Sequence, residues 1–289
     1  EEWWAQMVGN GRLFDPDLYY IVCVNMLCSP YGSSGPASIN PATGKPYLMT
    51  FPQVTVRDIV NANILVRKHL EIEQIDLMVG PSIGGFQALE WVIMEPDVVK
   101  EAVFLATATR VTPFMTALNE SQRMALLADP TFTEAKNLDG GKKGLSCARS
   151  IALISYRTFD GYNFTQSEDD EDCMFADKAA SYQRYQGKKL SDRFDAYSYW
   201  YLTKTLDSMN VGRGRGGVDN ALSTIKSSCH LISIDSDVLF PPKHGKATAV
   251  ALGKAQYHEL SSLYGHDGFL IENEHLCHIL RPVVDKALS

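Results

Sequence analysis

The stretch Leu77-Met78-Val79-Gly80-Pro81-Ser82-Ile83-Gly84-Gly85-Phe86-Gln87-Ala88-Leu89-Glu90-Trp91 decides how this chain folds. An apolar run, Ile75 to Val79, ends at Gly80-Pro81-Ser82-Ile83-Gly84, and helix-compatible residues continue from Gly85 to Met94. A strand that turns at once into a helix around G-x-S-x-G is a nucleophile elbow. The turn is so tight that the serine takes a strained backbone conformation and flanking side chains would collide. Gly80 and Gly84 remove those side chains, and Gly85 lets the helix pack closely on the sheet. Ser82 then projects its hydroxyl above the sheet at a helix N-terminus, where the dipole favours negative charge. The alternative for the bare pattern is an ordinary Gly-rich βα turn; the apolar strand before it and the helix after it favour the elbow.

Working outward, strand and helix signals alternate on both sides. Tyr19 to Asn25 reads as a buried strand, followed by a Gly/Pro/Ser-rich loop from Cys28 to Phe51. Thr55-Val56-Arg57-Asp58 forms a variant capping box opening a helix to Leu70, with Asp in place of Glu. Ile75 to Val79, the elbow helix and Ala102 to Ala106 continue the βαβ rhythm of a mainly parallel sheet. From Thr112 to Asn210 the pattern turns helical: Pro113 to Leu127, Leu145 to Tyr156, Lys178 to Gln186 and Ala196 to Leu206. The acidic run Glu168 to Asp172 reads as a solvated loop. Val211-Gly212-Arg213-Gly214-Arg215-Gly216-Gly217 reads as a flexible return; without a Lys-Ser/Thr pair or a preceding strand it is no phosphate loop. Sheet rhythm resumes with His230 to Ile234, a helix from Gly245 to Leu252, a strand from Ala255 to Leu260 and a helix from Phe269 to Leu280. The expected layout is an α/β core over 1–111 and 211–289 interrupted by a helical lid over 112–210.

An elbow needs a base and an orienting acid in the order Ser…Asp…His. Of seven histidines, His69, His230, His244, His258, His275 and His278 have the settings of surface or structural residues. His266 stands apart, in the turn-rich Tyr264-Gly265-His266-Asp267-Gly268-Phe269 between a strand-like and a helix-like run. The loop after the His230 strand offers two acids, Asp235 and Asp237, and local physics favours neither.

Composition narrows the classes. A net charge of −7 argues against nucleic acid or an anionic membrane surface as partner. The apolar share of 45% is ordinary for a packed globule. The longest apolar runs are strand-length, far short of a membrane span, and no leader with an apolar core opens the chain. Six cysteines (Cys23, Cys28, Cys147, Cys173, Cys229, Cys277) lack C-x-x-C spacing, so buried free thiols are expected rather than zinc or redox motifs. Asn119 and Asn163 sit in chance N-x-S/T matches.

A set of ordered matches along the whole chain goes further. They are Trp3-Trp4 with Val8-Gly9; Asn25-Met26-Leu27; Gly32-Ser33-Ser34-Gly35-Pro36; Phe51-Pro52 with Thr55-Val56-Arg57-Asp58; the elbow with Gln87-Ala88-Leu89-Glu90-Trp91; Ser155-Tyr156-Arg157; Ser236-Asp237-Val238-Leu239-Phe240-Pro241-Pro242; and Tyr264 to Leu270. With these the chain resembles the homoserine O-acetyltransferase family of the α/β-hydrolase fold.

The resemblance implies Asp237 as the acid, with Asp235 as fallback, and a Ser82–Asp237–His266 triad. It implies acetyl-CoA and L-homoserine as substrates, no bound cofactor or metal, a cytoplasmic setting and a homodimer through the lid. It implies that Arg157 binds the substrate carboxylate and Asp267 its ammonium, Asp267 also serving as a helix N-cap. A lid over the triad would form a tunnel that keeps water from the acyl-enzyme. Sibling reactions share the scaffold: homoserine or serine O-succinyltransferase, serine O-acetyltransferase, deacetylcephalosporin C acetyltransferase, or a hydrolase.

The chain also departs from the family. Glu1-Glu2-Trp3-Trp4 reads as the middle of a helix, and the earlier strands and H-x-L-T-G loop of the family have no match, so N-terminal strands are expected to be missing. Only the amide of Ile83 is then assigned to the oxyanion hole. Cys28 stands where the family usually has glycine, Pro81 lies within the elbow, and Ile83 replaces methionine.

Overall fold

The computed structural model describes residues 4–134 and 136–287. Of the helix expected around Glu1-Glu2-Trp3-Trp4, residues 1–3 lie outside the described residues, and Trp4 stands in a turn with φ 59° rather than in a helix. In chain order the elements are β1 (Ile39–Asn40), β2 (Lys45–Pro46), α1 (Val56–His69), β3 (Ile75–Pro81), α2 (Ile83–Met94), β4 (Val99–Leu105), α3 (Pro113–Leu127), α4 (Pro130–Glu134), α5 (Lys142–Tyr156), α6 (Phe159–Gln166), α7 (Lys178–Ser191), α8 (Ala196–Asp207), α9 (Val218–Leu222), β5 (Ser228–Ile234), α10 (Pro242–Leu252), β6 (Gln256–Leu260), α11 (Gly268–Ile271) and α12 (Asn273–Ala287).

β3, β4, β5 and β6 form one parallel sheet in that order. β4 and β5 are buried along almost their whole length, as central parallel strands covered on both faces must be. On one face α12 sets Leu276, Leu280, Val283 and Val284, an i, i+4, i+7, i+8 stripe, against Val103, Leu105, Ile232, Ile234 and Leu260. Elsewhere α1 and α2 contribute Val60, Ile64 and Trp91 to a cluster with Ile75 and Met78 of β3. The start of α1 is held as its sequence requires: the Thr55 amide donates to Asp58 Oδ2 at 2.8 Å and the Asp58 amide to Thr55 Oγ1 at 3.4 Å.

The chain divides into two compact units. One comprises residues up to Val24, Val60–Arg110 and everything from Met209 onward; it holds the sheet. The other comprises Asn25–Ile59 and Val111–Ser208. In the second, α3 packs on α5 and α8, and α5 on α7, around Leu126, Phe132, Leu145, Ala148, Leu190 and Tyr197. Its helices begin at conventional caps: Thr112 accepts from the Met115 amide ahead of Pro113, Thr158 from Gly161, and Asp195 from Ser198.

Four expectations need correction. Tyr19 to Asn25 is neither a strand nor buried: Tyr20 is 75% exposed and Ile21 42%. An apolar run can join a ladder only where another strand offers its edge, and no described strand pairs with this one. Tyr19 alone is anchored, its hydroxyl donating to the Val284 carbonyl. Val211 to Gly217 is not a flexible return but a fastened one. Val211 is fully buried, its amide donates to Thr109, and Arg215 grips the buried Glu90 of α2 at 2.9 and 2.5 Å. The helix expected from Phe269 to Leu280 is two, α11 and α12, parted at Glu272. Of the six thiols, Cys28 and Cys229 are buried, Cys277 is half-buried, and Cys23, Cys147 and Cys173 are exposed. Burial pushes the thiols of Cys28 and Cys229 up to about 12.

Candidate active site

The site is built where the C-terminal ends of β3, β4, β5 and β6 meet their following loops. β3 ends at Pro81, and Ser82 turns the chain into α2 with φ 54° and ψ −120°, a conformation that L-residues seldom adopt. The glycines explain how the turn closes. A Cβ on Gly80 would overlap the Gly84 carbonyl, and one on Gly85 would lie 2.6 Å from Thr107 Cβ, whereas Gly84 is less constrained, its nearest neighbour being Pro81 at 3.3 Å. Ser82 is the N-cap of α2, a place where serine usually bonds the helix's own amides, yet its hydroxyl makes no capping bond.

That hydroxyl is directed to His266. Ser82 Oγ lies 2.8 Å from His266 Nε2, and His266 Nδ1 lies 2.7 Å from Asp237 Oδ2. A carboxylate can only accept, so Nδ1 carries the proton and Nε2 is left to accept from the serine. The residues are 184 and 29 positions apart in sequence. Asp237 is 3% exposed, and its other oxygen accepts from the amides of Leu239 and Phe240 at 2.8 and 3.0 Å. These bonds fix the carboxylate and leave it no need of a cation. His266 sits between two rings, Phe240 and Phe269, each with its centroid 5.3 Å away. Its loop is held by Ser236 and Ser262: the Gly265 amide donates to Ser236 Oγ, the Tyr264 amide to Ser262 Oγ, and Ser262 Oγ to Glu272.

Asp235 is exposed and is turned to the β6 end, accepting from Ser261 Oγ at 2.7 Å and the Ser262 amide at 3.0 Å. The structure thus brings Ser82, His266 and Asp237 together and leaves Asp235 elsewhere. Ile83 opens α2 directly after the serine. Asp267 follows His266 at the N-cap of α11, but its side chain makes no capping bond. The expected capping role is therefore not taken up, because Asp267 has already entered helical dihedrals, with φ −69° and ψ −4°. Arg157 belongs to the other unit, where it ends α5 and lines a cleft with Gly161, Tyr162, Thr165, Gln166 and Tyr182. Among the described residues no group of three or more His, Cys, Asp or Glu is placed to hold a metal.

Sequence reading did not single out Phe240, Phe269 or Thr107. Phe240 and Phe269 lay inside quoted matches, but an aromatic residue beside a turn carries no mark of what it will face. Thr107 follows β4, and its hydroxyl donates to the Ser82 carbonyl at 3.1 Å.

A hydroxyl on a strained bend, bonded to an imidazole that is itself bonded to a buried carboxylate, can act as a nucleophile on an acyl carbon. Comparison with known proteins agrees. Residues 3–272 match the alpha/beta hydrolase fold family. A homoserine O-acetyltransferase of Cyclobacterium marinum is 44% identical over 280 residues, covering 97% of this chain and 79% of the relative. Among solved structures, a homoserine O-acetyltransferase from Bacillus anthracis superposes with a TM-score of 0.91 at 22% identity, over 100% of this chain and 82% of that one. An acetylester hydrolase from Corynebacterium glutamicum gives 0.84 at 21% identity, over 98% and 81%. At such identities the two structures speak for the fold alone.

Proposed function

The chain belongs to the homoserine O-acetyltransferase family of the α/β-hydrolase fold, and from that membership we propose that it moves the acetyl group of acetyl-CoA to the hydroxyl of L-homoserine through an acetyl-serine at Ser82. The observation that carries this reading is the continuous Ser82–His266–Asp237 hydrogen-bond chain. Ser82 Oγ gives its proton to His266 Nε2 as it attacks the thioester carbonyl carbon. The tetrahedral oxyanion meets the Ile83 amide, collapses, and expels coenzyme A, whose sulfur takes the proton from the imidazolium. The homoserine hydroxyl then gives its proton to His266 and attacks the acetyl carbon; collapse returns the proton to Ser82 and frees O-acetylhomoserine. Asp237 holds the tautomer and stabilises the imidazolium.

The acceptor is a zwitterion, and the reading assigns its carboxylate to Arg157, whose planar fork suits it, and its ammonium to Asp267. The product serves methionine biosynthesis. A cytoplasmic setting is supported by the exposed free thiols of Cys23, Cys147 and Cys173, which persist where thiols stay reduced. No helix among the described residues is long and apolar enough to cross a membrane. The homodimer is part of the same reading.

The experiment mixes enzyme with acetyl-CoA and L-homoserine and follows free thiol and O-acetylhomoserine. The expected result is thiol release that depends on homoserine, with an acetyl group on the Ser82 peptide when homoserine is withheld. Equal thiol release without homoserine turns the reading into that of a hydrolase; acetyl label on another peptide overturns the nucleophile.

A further inference from the structure

The Ser82 carbonyl and the Ile83 N–H are two ends of one planar peptide group, and no peptide bond among the described residues is cis. Whatever holds the carbonyl therefore sets the direction of the N–H. Two donors hold it: the Phe86 amide at 3.2 Å, from the helix itself, and the Thr107 hydroxyl at 3.1 Å, from outside the helix.

The segment after β4 is shaped to deliver that hydroxyl. The Leu105 carbonyl accepts from the Ser82 amide at 2.9 Å, so the peptide before the serine is fixed as well. Ala106 then takes φ +46°, a left-handed conformation costly for a residue with a Cβ, with its amide donating to Ile232 of β5 at 2.8 Å. That turn brings Thr107 back over the elbow. Its side chain is 6% exposed and fills the space that Gly85 leaves empty, since a Cβ at Gly85 would stand 2.6 Å from Thr107 Cβ, 2.7 Å from Cγ2 and 2.8 Å from Oγ1. Strain at Ala106 and strain at Ser82 thus face each other across one hydrogen bond.

We propose that Thr107 is a positioning residue: its hydroxyl clamps the Ser82–Ile83 peptide so that the Ile83 amide stays aimed at the oxyanion formed on the acyl carbon. Donation to the carbonyl also polarises the same peptide and makes its N–H a better donor. The inference rests on the reading of Ser82 as the nucleophile. It requires that both acylation and deacylation pass through the clamped amide, while ground-state binding of either substrate does not.

The test compares Thr107→Val, which keeps the shape and loses the hydroxyl, with Thr107→Ser, which keeps the hydroxyl and loses the methyl. Removing an oxyanion donor outright costs ~10²–10³ in turnover, and loosening one costs less, so Thr107→Val is expected to lower kcat about tenfold. KM for acetyl-CoA and homoserine should stay within about twofold, and the pH profile of turnover should not move. Thr107→Ser should restore most of kcat. Should Thr107→Val fail to fold, Thr107→Ala replaces it with the same expectation. Unchanged kcat in a folded hydroxyl-free variant, or a Ser variant as slow as Val, overturns the proposal. Ser82→Ala, run alongside, separates the two levels. If it abolishes acetyl transfer while Thr107→Val does not slow it, only the clamp is lost; if it retains transfer, the nucleophile reading falls first.

Discussion

β5 carries a histidine–carboxylate pair at each end, and in only one of them does the second ring nitrogen meet a hydroxyl. Past its C-terminal end, Asp237 Oδ2 meets His266 Nδ1 at 2.7 Å; near its start, His230 Nε2 meets Glu101 Oε2 at 2.9 Å. Both pairs are buried. Around the first, the second ring nitrogen meets Ser82 and the carboxylate is fed by backbone amides. Around the second, His230 Nδ1 makes no hydrogen bond, the ring stacks on His258 at 6.3 Å, and Lys286 of α12 donates to the other oxygen of Glu101 at 2.6 Å. Burial pushes the Glu101 carboxyl upward, but the bonds from Lys286, His230 and Ser228 outweigh it and hold the carboxyl below its ordinary value. A coupled imidazole and carboxylate is thus not by itself catalytic machinery. What distinguishes the first pair is the strained turn that presents the Ser82 hydroxyl to His266 Nε2.

The largest expected effect tests that contrast directly. Replacing Ser82 or His266 with alanine should cut acetyl transfer by on the order of 10⁴-fold or more. His230→Gln should leave kcat/KM within about twofold and lower the unfolding free energy by ~1–3 kcal/mol, because Glu101 loses a buried partner. Steady-state rates beside denaturant titrations decide it; a His230 variant that is slow yet fully stable would erase the distinction.

Next come the carboxylates. Asp237→Asn should slow turnover by ~10²–10⁴ through loss of the correct tautomer, while Glu101→Gln should act on stability alone, by ~1–3 kcal/mol.

Acid should then reach the second pair in two stages. Burial and the neighbouring His230 hold the half-buried His258 below its usual 6.5. The unfolded chain therefore takes up that proton first, and stability falls as pH drops below about 6.5. Glu101 is the opposite type of group. Its depressed value contributes stability above the ordinary 4.5, and this is lost as pH falls through the folded value. Unfolding free energy measured from pH 8 to 3 should fall in that order, and His258→Gln should shrink the first stage, which His244, also held below 6.5 by burial, shares, without changing the pH profile of turnover.

The smallest effect concerns strain that serves no chemistry. Cys28 has φ 76° and is fully buried beside Val54, Ile59 and Tyr201. Cys28→Gly relieves ~1–2 kcal/mol of left-handed strain and loses roughly 1 kcal/mol of burial, so stability should change by less than about 1 kcal/mol. Turnover should not change. A loss above 2 kcal/mol in thermal or denaturant unfolding would mean that packing of the thiol dominates.

Much of the fold was legible because its signals are local. The elbow glycines, the Thr55–Asp58 box and Pro113 after Thr112 each act within a few residues, and the elements stand where those signals put them. The histidine was legible from its turn-rich surroundings. The acid was not: Asp235 and Asp237 share a loop and a charge, and only a family resemblance chose between them. Tyr19 to Asn25 has the composition of a strand and lacks the ladder partner that would make it one. Val211 to Gly217 has the composition of a loose loop and is fastened by Arg215 to Glu90, a partner 125 positions away.

By itself the sequence determined a serine held on a strained strand-to-helix turn, because steric limits at Gly80 and Gly85 act between near neighbours. That His266 reaches that serine, and which of two neighbouring carboxylates reaches His266, was decided only in the tertiary structure. Parallel strands bring all their C-terminal ends to one edge, so residues 184 positions apart become hydrogen-bond neighbours there. An equally well-formed pair a strand's length away has no hydroxyl at the second ring nitrogen of its histidine.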